Sequence, residues 1–199
     1  MSVPVEHDKR KDEILDKALD VFVNEGYKDT TFQKIAERCG ITRTILYLYF
    51  DNKKEIFSSC IKRFMEGLEA EILGIVGNPA LSAADKLAQV SGRVVKECSK
   101  ESRLLSVVLD YLLRLKTAGG DPDERVRRRT IRMRHILSVI VIEGKRSGEF
   151  PDTVPVKATG ELVYAMIEAA VFRVTVLGKP DTSSLEESIR LLTAAIRRS

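Results

Sequence analysis

Arg43 is the only cation in the segment Ile41-Thr-Arg-Thr-Ile-Leu-Tyr-Leu-Tyr-Phe50, which runs directly into Asp51-Asn52-Lys53-Lys54. Its guanidinium can donate two parallel hydrogen bonds to guanine O6 and N7, a pairing that contributes about 1–3 kcal/mol of base discrimination. Around it, the hydroxyls of Thr42 and Thr44 can reach phosphates or base edges, and Leu48 can meet a thymine methyl. Lys53 falls in the first turn of the next helix, where its charge adds to backbone N–H groups that favour an anion. Such a set reads a duplex only if one helix face presents it.

Hydrophobic residues recur at helical spacing along the whole chain, and no sustained alternation argues for a strand. The fold class is therefore all-α, with about nine helices. The spacing predicts a first helix from about Lys9 to Asn24, with Ile14, Leu15, Ala18, Leu19 and Phe22 on one face. A second starts at Thr30, where Thr30-x-x-Gln33 fits a capping box, and carries Phe32, Ile35, Ala36 and Cys39 to a stop at Gly40. Thr42 caps a third helix through Phe50, and Asp51 or Asn52 caps a fourth that reaches about Val76. Ile41, Leu46 and Phe50 share an inward face, which leaves Thr42, Arg43, Thr44, Tyr47 and Leu48 for the outer one. Two short helices joined through Cys39-Gly40-Ile41 form a helix-turn-helix, whose second helix enters a major groove.

Gly77-Asn78-Pro79 breaks the chain, and Ser82-x-x-Asp85 opens a fifth helix with Ala84, Leu87, Val94 and Cys98 in a stripe. The sixth, Glu101 to Thr117, is apolar on nearly every side and is expected to be largely enclosed; its Asp110 and Arg114 read as a solvated ion pair. A seventh runs to about Ser147 with Val126, Thr130, Met133, Leu137 and Ile140 on its core face. The eighth covers about Val156 to Leu177, and Ser183-x-x-Glu186 opens a ninth with Leu185, Ile189, Leu192 and Ile196 in line.

Charge does not by itself announce a nucleic-acid partner. The 199 residues carry a net +4, yet residues 1 to 56 hold ten Lys/Arg against eleven Asp/Glu. Contact with phosphate must rest on local placement. Cys39, Cys60 and Cys98 are far apart with no CxxC pair, which points to reduced, buried thiols and to no metal site. No apolar run reaches the roughly 18 residues of a membrane span, and Met1 to Lys11 lacks a signal-peptide core, so a cytoplasmic protein with no membrane partner is expected. HExxH, GxSxG, P-loop and GxGxxG are absent, and His7 and His135 are the only histidines. The residues offer no catalytic constellation, no cofactor site and no enzyme reading.

Gly26-Tyr27, Thr30-Thr31, Ile35-Ala36, Gly40-Ile41, Leu46-Tyr47, Phe50, Lys53 and Ile56 resemble the DNA-binding signature of the TetR family of bacterial transcriptional regulators. The resemblance is dense over roughly residues 10 to 60. Beyond it, helix count, length and the Glu143-Gly-Lys-Arg-Ser-Gly-Glu-Phe150 corner are similar to the family. It implies a helix-turn-helix DNA-binding domain over residues 1–50 and a helical ligand-binding and dimerisation domain over 51–199. It implies a homodimer on palindromic double-stranded operator DNA, acting most simply as a repressor that a small molecule releases. On that pattern Thr31, Tyr47 and Lys53 contact phosphate, while Thr42, Arg43 and Leu48 lie on or near the base-reading face. The family often has Gly where Thr44 stands and a small or hydroxylated residue where Ile45 stands, so Thr44 can read something a Gly cannot.

The candidate ligand-pocket residues are Tyr111, Met133, His135 and Tyr164, for an effector that is largely apolar; simple packing accounts equally for Tyr111, Met133 and Tyr164, and a lone His such as His135 is more often a satisfied core residue than a ligand. His135 is flanked at helical spacing by Ile131, Val139 and Ile142 and is expected to be largely enclosed. Arg125, Arg128, Arg129 and Arg132 form a basic face that is solvated surface, a seat for an acidic ligand such as an acyl-CoA, or a partner surface. Ala165, Ala169 and Val174 with Leu185, Ile189, Leu192 and Ile196 offer more apolar surface than one small domain covers, which points to an isologous pairing face.

Overall fold

The computed structural model describes residues 3–119, 124–178 and 183–197. Among these the chain is all-helical: α1 Val3–Asp29, α2 Phe32–Cys39, α3 Arg43–Tyr47, α4 Lys53–Val76, α5 Ala83–Lys100, α6 Ser102–Thr117, α7 Glu124–Arg146, α8 Val156–Leu177 and α9 Ser183–Ile196. Two compact units result. One runs from the N-terminus to Gly67 and takes in Ser106–Tyr111; the other comprises Leu68–Leu105 and the chain from Leu112 onward.

In the first unit α1 begins at Val3 rather than Lys9, and its helical dihedrals break at Gly26, where φ is 78°. Glycine tolerates that left-handed region, so the stop falls where Asn24-Glu25-Gly26 signals it. Ile14, Leu15, Ala18 and Phe22 of α1 are buried with Ile35, Ala36 and Cys39 of α2. Phe57 joins them: its ring centroid lies 4.9 Å from both Phe22 and Tyr27, and Tyr111 packs on Tyr27 at 4.5 Å.

In the second unit α5 packs against α7, α8 and α9, and α7 against α8. Leu87, Val90 and Val95 on α5, Leu137, Ile140 and Val141 on α7, Val163 and Ile167 on α8, and Leu185 and Ile189 on α9 are buried. The Glu143-to-Phe150 corner stitches these helices together. A Cβ on Gly144 would lie 2.8 Å from Ala83 Cβ and nearer still to the Phe150 ring, so only glycine fits. Glu149 Oε2 accepts a hydrogen bond from the Ala83 N–H at 2.7 Å, and Arg197 Nη2 reaches Glu149 Oε1 at 2.8 Å. Lys86, buried on α5, pairs with Glu143.

Two expectations are corrected here. The sixth helix is not largely enclosed: Leu104 and Val107 are buried, but Leu113 is 56% exposed. His135 is exposed, as are Ile131 and Val139 beside it. That stripe of α7 points away from the side that carries Leu137, Ile140 and Val141, so apolar neighbours on the same stripe do not enclose it.

Candidate nucleic-acid interface

The helix-turn-helix is built by its caps. Thr31, not Thr30, caps α2: its Oγ1 accepts from the Lys34 N–H at 3.2 Å. Thr30 is buried and donates to the Gly26 carbonyl at 2.7 Å, while Gln33 turns to Glu37. Gly40, at φ 70°, closes α2 with its N–H on the carbonyls of Ala36 and Glu37. Thr42 caps α3 by accepting from the Ile45 N–H at 3.2 Å. The third helix ends at Tyr47 rather than Phe50, because the N–H groups of Leu48 and Tyr49 tighten onto the carbonyls of Ile45 and Leu46.

Leu46 of α3 and Phe50 just beyond it are buried and Ile41 before it is half-buried, so one side of the 41–50 segment is committed to the core. The opposite face holds Thr42, Arg43, Thr44, Tyr47 and Leu48, all exposed, with Thr31 exposed at the start of α2. Leu48 is 73% exposed and Tyr47 50%. Ile45 is also exposed at 40%, an outer-face position that the spacing argument passed over. Its signal was the departure from the family pattern at Thr44-Ile45.

Lys53 is placed differently from expectation. Its Nζ donates to the carbonyls of Tyr27 at 2.9 Å, Lys28 at 3.0 Å and Thr30 at 2.7 Å. All three ammonium hydrogens are taken by backbone at the end of α1. Burial holds this ammonium below the ordinary lysine range, with Asp29 opposing. Nor is the start of α4 a free anion seat. Asn52 Oδ1 accepts from the Glu55 N–H at 3.0 Å and the Glu55 carboxylate accepts from the Asp51 N–H at 2.7 Å, an arrangement like a capping box but displaced by one residue.

Nearby cations are compensated as well. Lys34 meets Glu25 and Arg38 reaches Asp20 at 2.8 Å, while Arg63 meets Asp16. Arg43 instead donates to a neutral partner on its own helix, the Tyr47 hydroxyl, at 3.3 Å.

The candidate ligand residues fall in both units. Tyr111 belongs to the aromatic cluster of the first unit; Met133, His135 and Tyr164 belong to the second. Tyr164 faces α7, with its hydroxyl 3.4 Å from Thr130 Oγ1 and Arg134 stacked 4.7 Å from its ring. Burial pushes its phenol up, more than the Thr130 contact lowers it. A cleft of about 740 Å³ is lined by residues of α4, α5 and α9, including Arg93, Lys96, Lys100 and Arg190, and by none of the four candidates. Its charges are largely paired: Lys100 with Glu97 at 2.7 Å, Arg93 with Glu71 at 3.4 Å and Arg190 with Glu186 at 3.6 Å. On the basic face of α7, Arg132 pairs with Glu69, while the side chains of Arg125 and Arg129 lie outside the described residues.

The pairing face also needs correction. Val174, Leu185 and Ile189 are buried within their own unit, and Leu192 and Ile196 half-buried. Exposed apolar positions on α8 include Leu162, Ala165, Ala169, Phe172, Val176 and Leu177, and those on α9 include Leu191.

Residues 14–60 match the sequence profile of the bacterial regulatory proteins of the tetR family. Over 163 residues, 80% of each chain, the sequence is 26% identical to the fatty acid metabolism regulator protein of Bacillus subtilis. A TetR transcription regulator from Haloarcula marismortui superposes with a TM-score of 0.79 at 18% identity, over 96% of this chain and 100% of that one. The match to the tetR family thus covers the helix-turn-helix segment, and the chain is similar to TetR regulators in fold. These matches are to transcriptional regulators and not to enzymes. It is also similar to the crystal structure of the transcriptional regulator FadR from Bacillus subtilis in complex with stearoyl-CoA: TM-score 0.67, 25% identity, 91% of this chain and 96% of that one. No described helix is long and apolar enough to cross a membrane.

Proposed function

We propose that this chain is a cytoplasmic repressor that binds a palindromic operator as a homodimer and is released by a small, largely apolar effector. The observation that carries the reading is the division of α3 and its flanks into a buried side, Leu46 and Phe50, and an exposed side, Thr42, Arg43, Thr44, Tyr47 and Leu48. Residues 1–50 read DNA in this proposal, and residues 51–199 take the effector and pair. The exposed apolar strip from Leu162 to Val176, with Leu191, supports an isologous interface.

A fatty acyl thioester is the effector class favoured by likeness to the Bacillus subtilis regulators, one of them in complex with stearoyl-CoA. By linkage, an effector that prefers a conformation with the wrong separation of recognition helices weakens operator binding. Helix α4 is the lever, because it is continuous from the first unit into the second.

Selection from random duplex DNA tests the reading. An enriched palindrome is expected, with affinity falling by about 10³- to 10⁵-fold between 50 and 200 mM salt, as for 6–10 phosphate contacts. Arg43→Ala should relax one base position per half-site. Absence of any enriched sequence would leave a helical interaction protein. An acyl-CoA panel then tests the effector, and operator affinity indifferent to every chain length would exclude that class.

A further inference from the structure

Tyr47 is held from two sides. Its ring centroid lies 4.5 Å from that of Phe32, the first residue of α2, with the planes at 32°. One helical turn back on α3, Arg43 Nη2 donates to the Tyr47 hydroxyl at 3.3 Å, and the guanidinium carbon lies 6.0 Å from the ring centroid. Arg43 is exposed on a five-residue helix, so its own backbone neighbours do little to orient it. An arginine free to sample its rotamers must lose that freedom to form a bidentate bond with a base.

We propose that Tyr47 is a specificity-positioning residue: backed by Phe32, it holds the Arg43 guanidinium in the direction from which a base edge is read. The phenol is suited to this, because its oxygen accepts from Arg43 while its own hydrogen stays available to a phosphate oxygen. One side chain thereby couples the reading arginine to the backbone of the site. The ring is held by α2 and the arginine by the ring, so the orientation of Arg43 follows the angle between the two helices. This role rests on Arg43 reading a base, as proposed above.

The test compares Arg43→Ala, Tyr47→Phe and Phe32→Leu on the selected operator and on duplexes changed at one base step at a time, each with a salt titration. Arg43→Ala identifies the step that Arg43 reads; if it relaxes none, the base-reading assignment falls and this role falls with it. Given such a step, Tyr47→Phe and Phe32→Leu are each expected to lose about 3- to 10-fold of its discrimination, out of the roughly 5- to 150-fold an Arg–guanine pair supplies. Preferences at the other steps and the salt slope should hold. A uniform loss on all sequences, with discrimination at that step intact, would make Tyr47 a phosphate contact only and overturn the proposal. Should Phe32→Leu lose its helical circular dichroism, Tyr47→Phe, which keeps the ring, decides alone.

Discussion

Lys53 Nζ lies 2.7 Å from the carbonyl oxygen of Thr30, and this bond ties the first turn of α4 to the corner between α1 and α2. With the carbonyls of Tyr27 and Lys28 it saturates the ammonium. Lys53→Ala should therefore destabilise the chain by about 1–2 kcal/mol, allowing for screening at a partly exposed site. Thermal denaturation measures the loss. The salt slope of operator binding separates the roles: removing a phosphate contact lowers it by about 1, whereas removing a structural tether leaves it unchanged. Normal stability with a shallower slope would restore Lys53 to the phosphate.

Leu48, 73% exposed at the end of α3, contributes little to folding. Leu48→Ala should change stability by less than about 0.5 kcal/mol, as at other open surface positions. In binding assays it should weaken sites with thymine at one step and spare the rest. Equal weakening across all sequences would remove the methyl contact.

Phe172 and Val174, two residues apart on α8, should respond in opposite ways. Phe172 is 55% exposed and Val174 is buried. Phe172→Asp should shift the chain from dimer to monomer in sedimentation at micromolar concentration without lowering the thermal midpoint of the monomer. Val174→Ala should leave the mass unchanged and cost about 1–3 kcal/mol through the cavity it leaves. A dimer surviving Phe172→Asp would move the pairing face elsewhere.

The buried thiols predict a pH dependence. Burial pushes Cys60 up to about 12 and Cys98 up to about 11, and raises Cys39 as well. Thiolate is the reactive form, so at pH 8 alkylation should be slow in the native protein and complete on denaturation. Unfolding releases these protons at the ordinary value of 9.0, so the stabilising contribution is whole below about pH 9. It is lost as pH rises through 9 toward 11–12, a decline that should be shallower in a Cys60→Ala, Cys98→Ala chain. Rapid native labelling at pH 8 would contradict the burial of these groups.

Much of the interface was legible because helix caps and periodicity are local. Gly40, Thr42 and the buried Leu46 and Phe50 follow from spacing within ten residues, and they suffice to divide α3 into two faces. The α2 cap shifted by one residue to Thr31 and the early end of α3 are local departures, whereas the partners of Lys53 and Tyr47 are distant in sequence. The carbonyls that take the Lys53 ammonium lie 23 to 26 residues earlier, and Phe32 meets Tyr47 across a turn whose angle no periodicity contains.

By itself, then, the sequence determined the helices, their caps and the outward set around Arg43, because hydrogen bonds and hydrophobic stripes within one helix are settled by neighbours three or four residues away. Tertiary structure alone decided which apolar stripe was already covered. Val174, Leu185 and Ile189 look like Leu162, Phe172 and Leu191 in composition, and only packing around α5 separates the first three into the core and leaves the others in water. The same holds for charge: a lysine at a helix start suits a phosphate, and three converging carbonyls turn it into a tether.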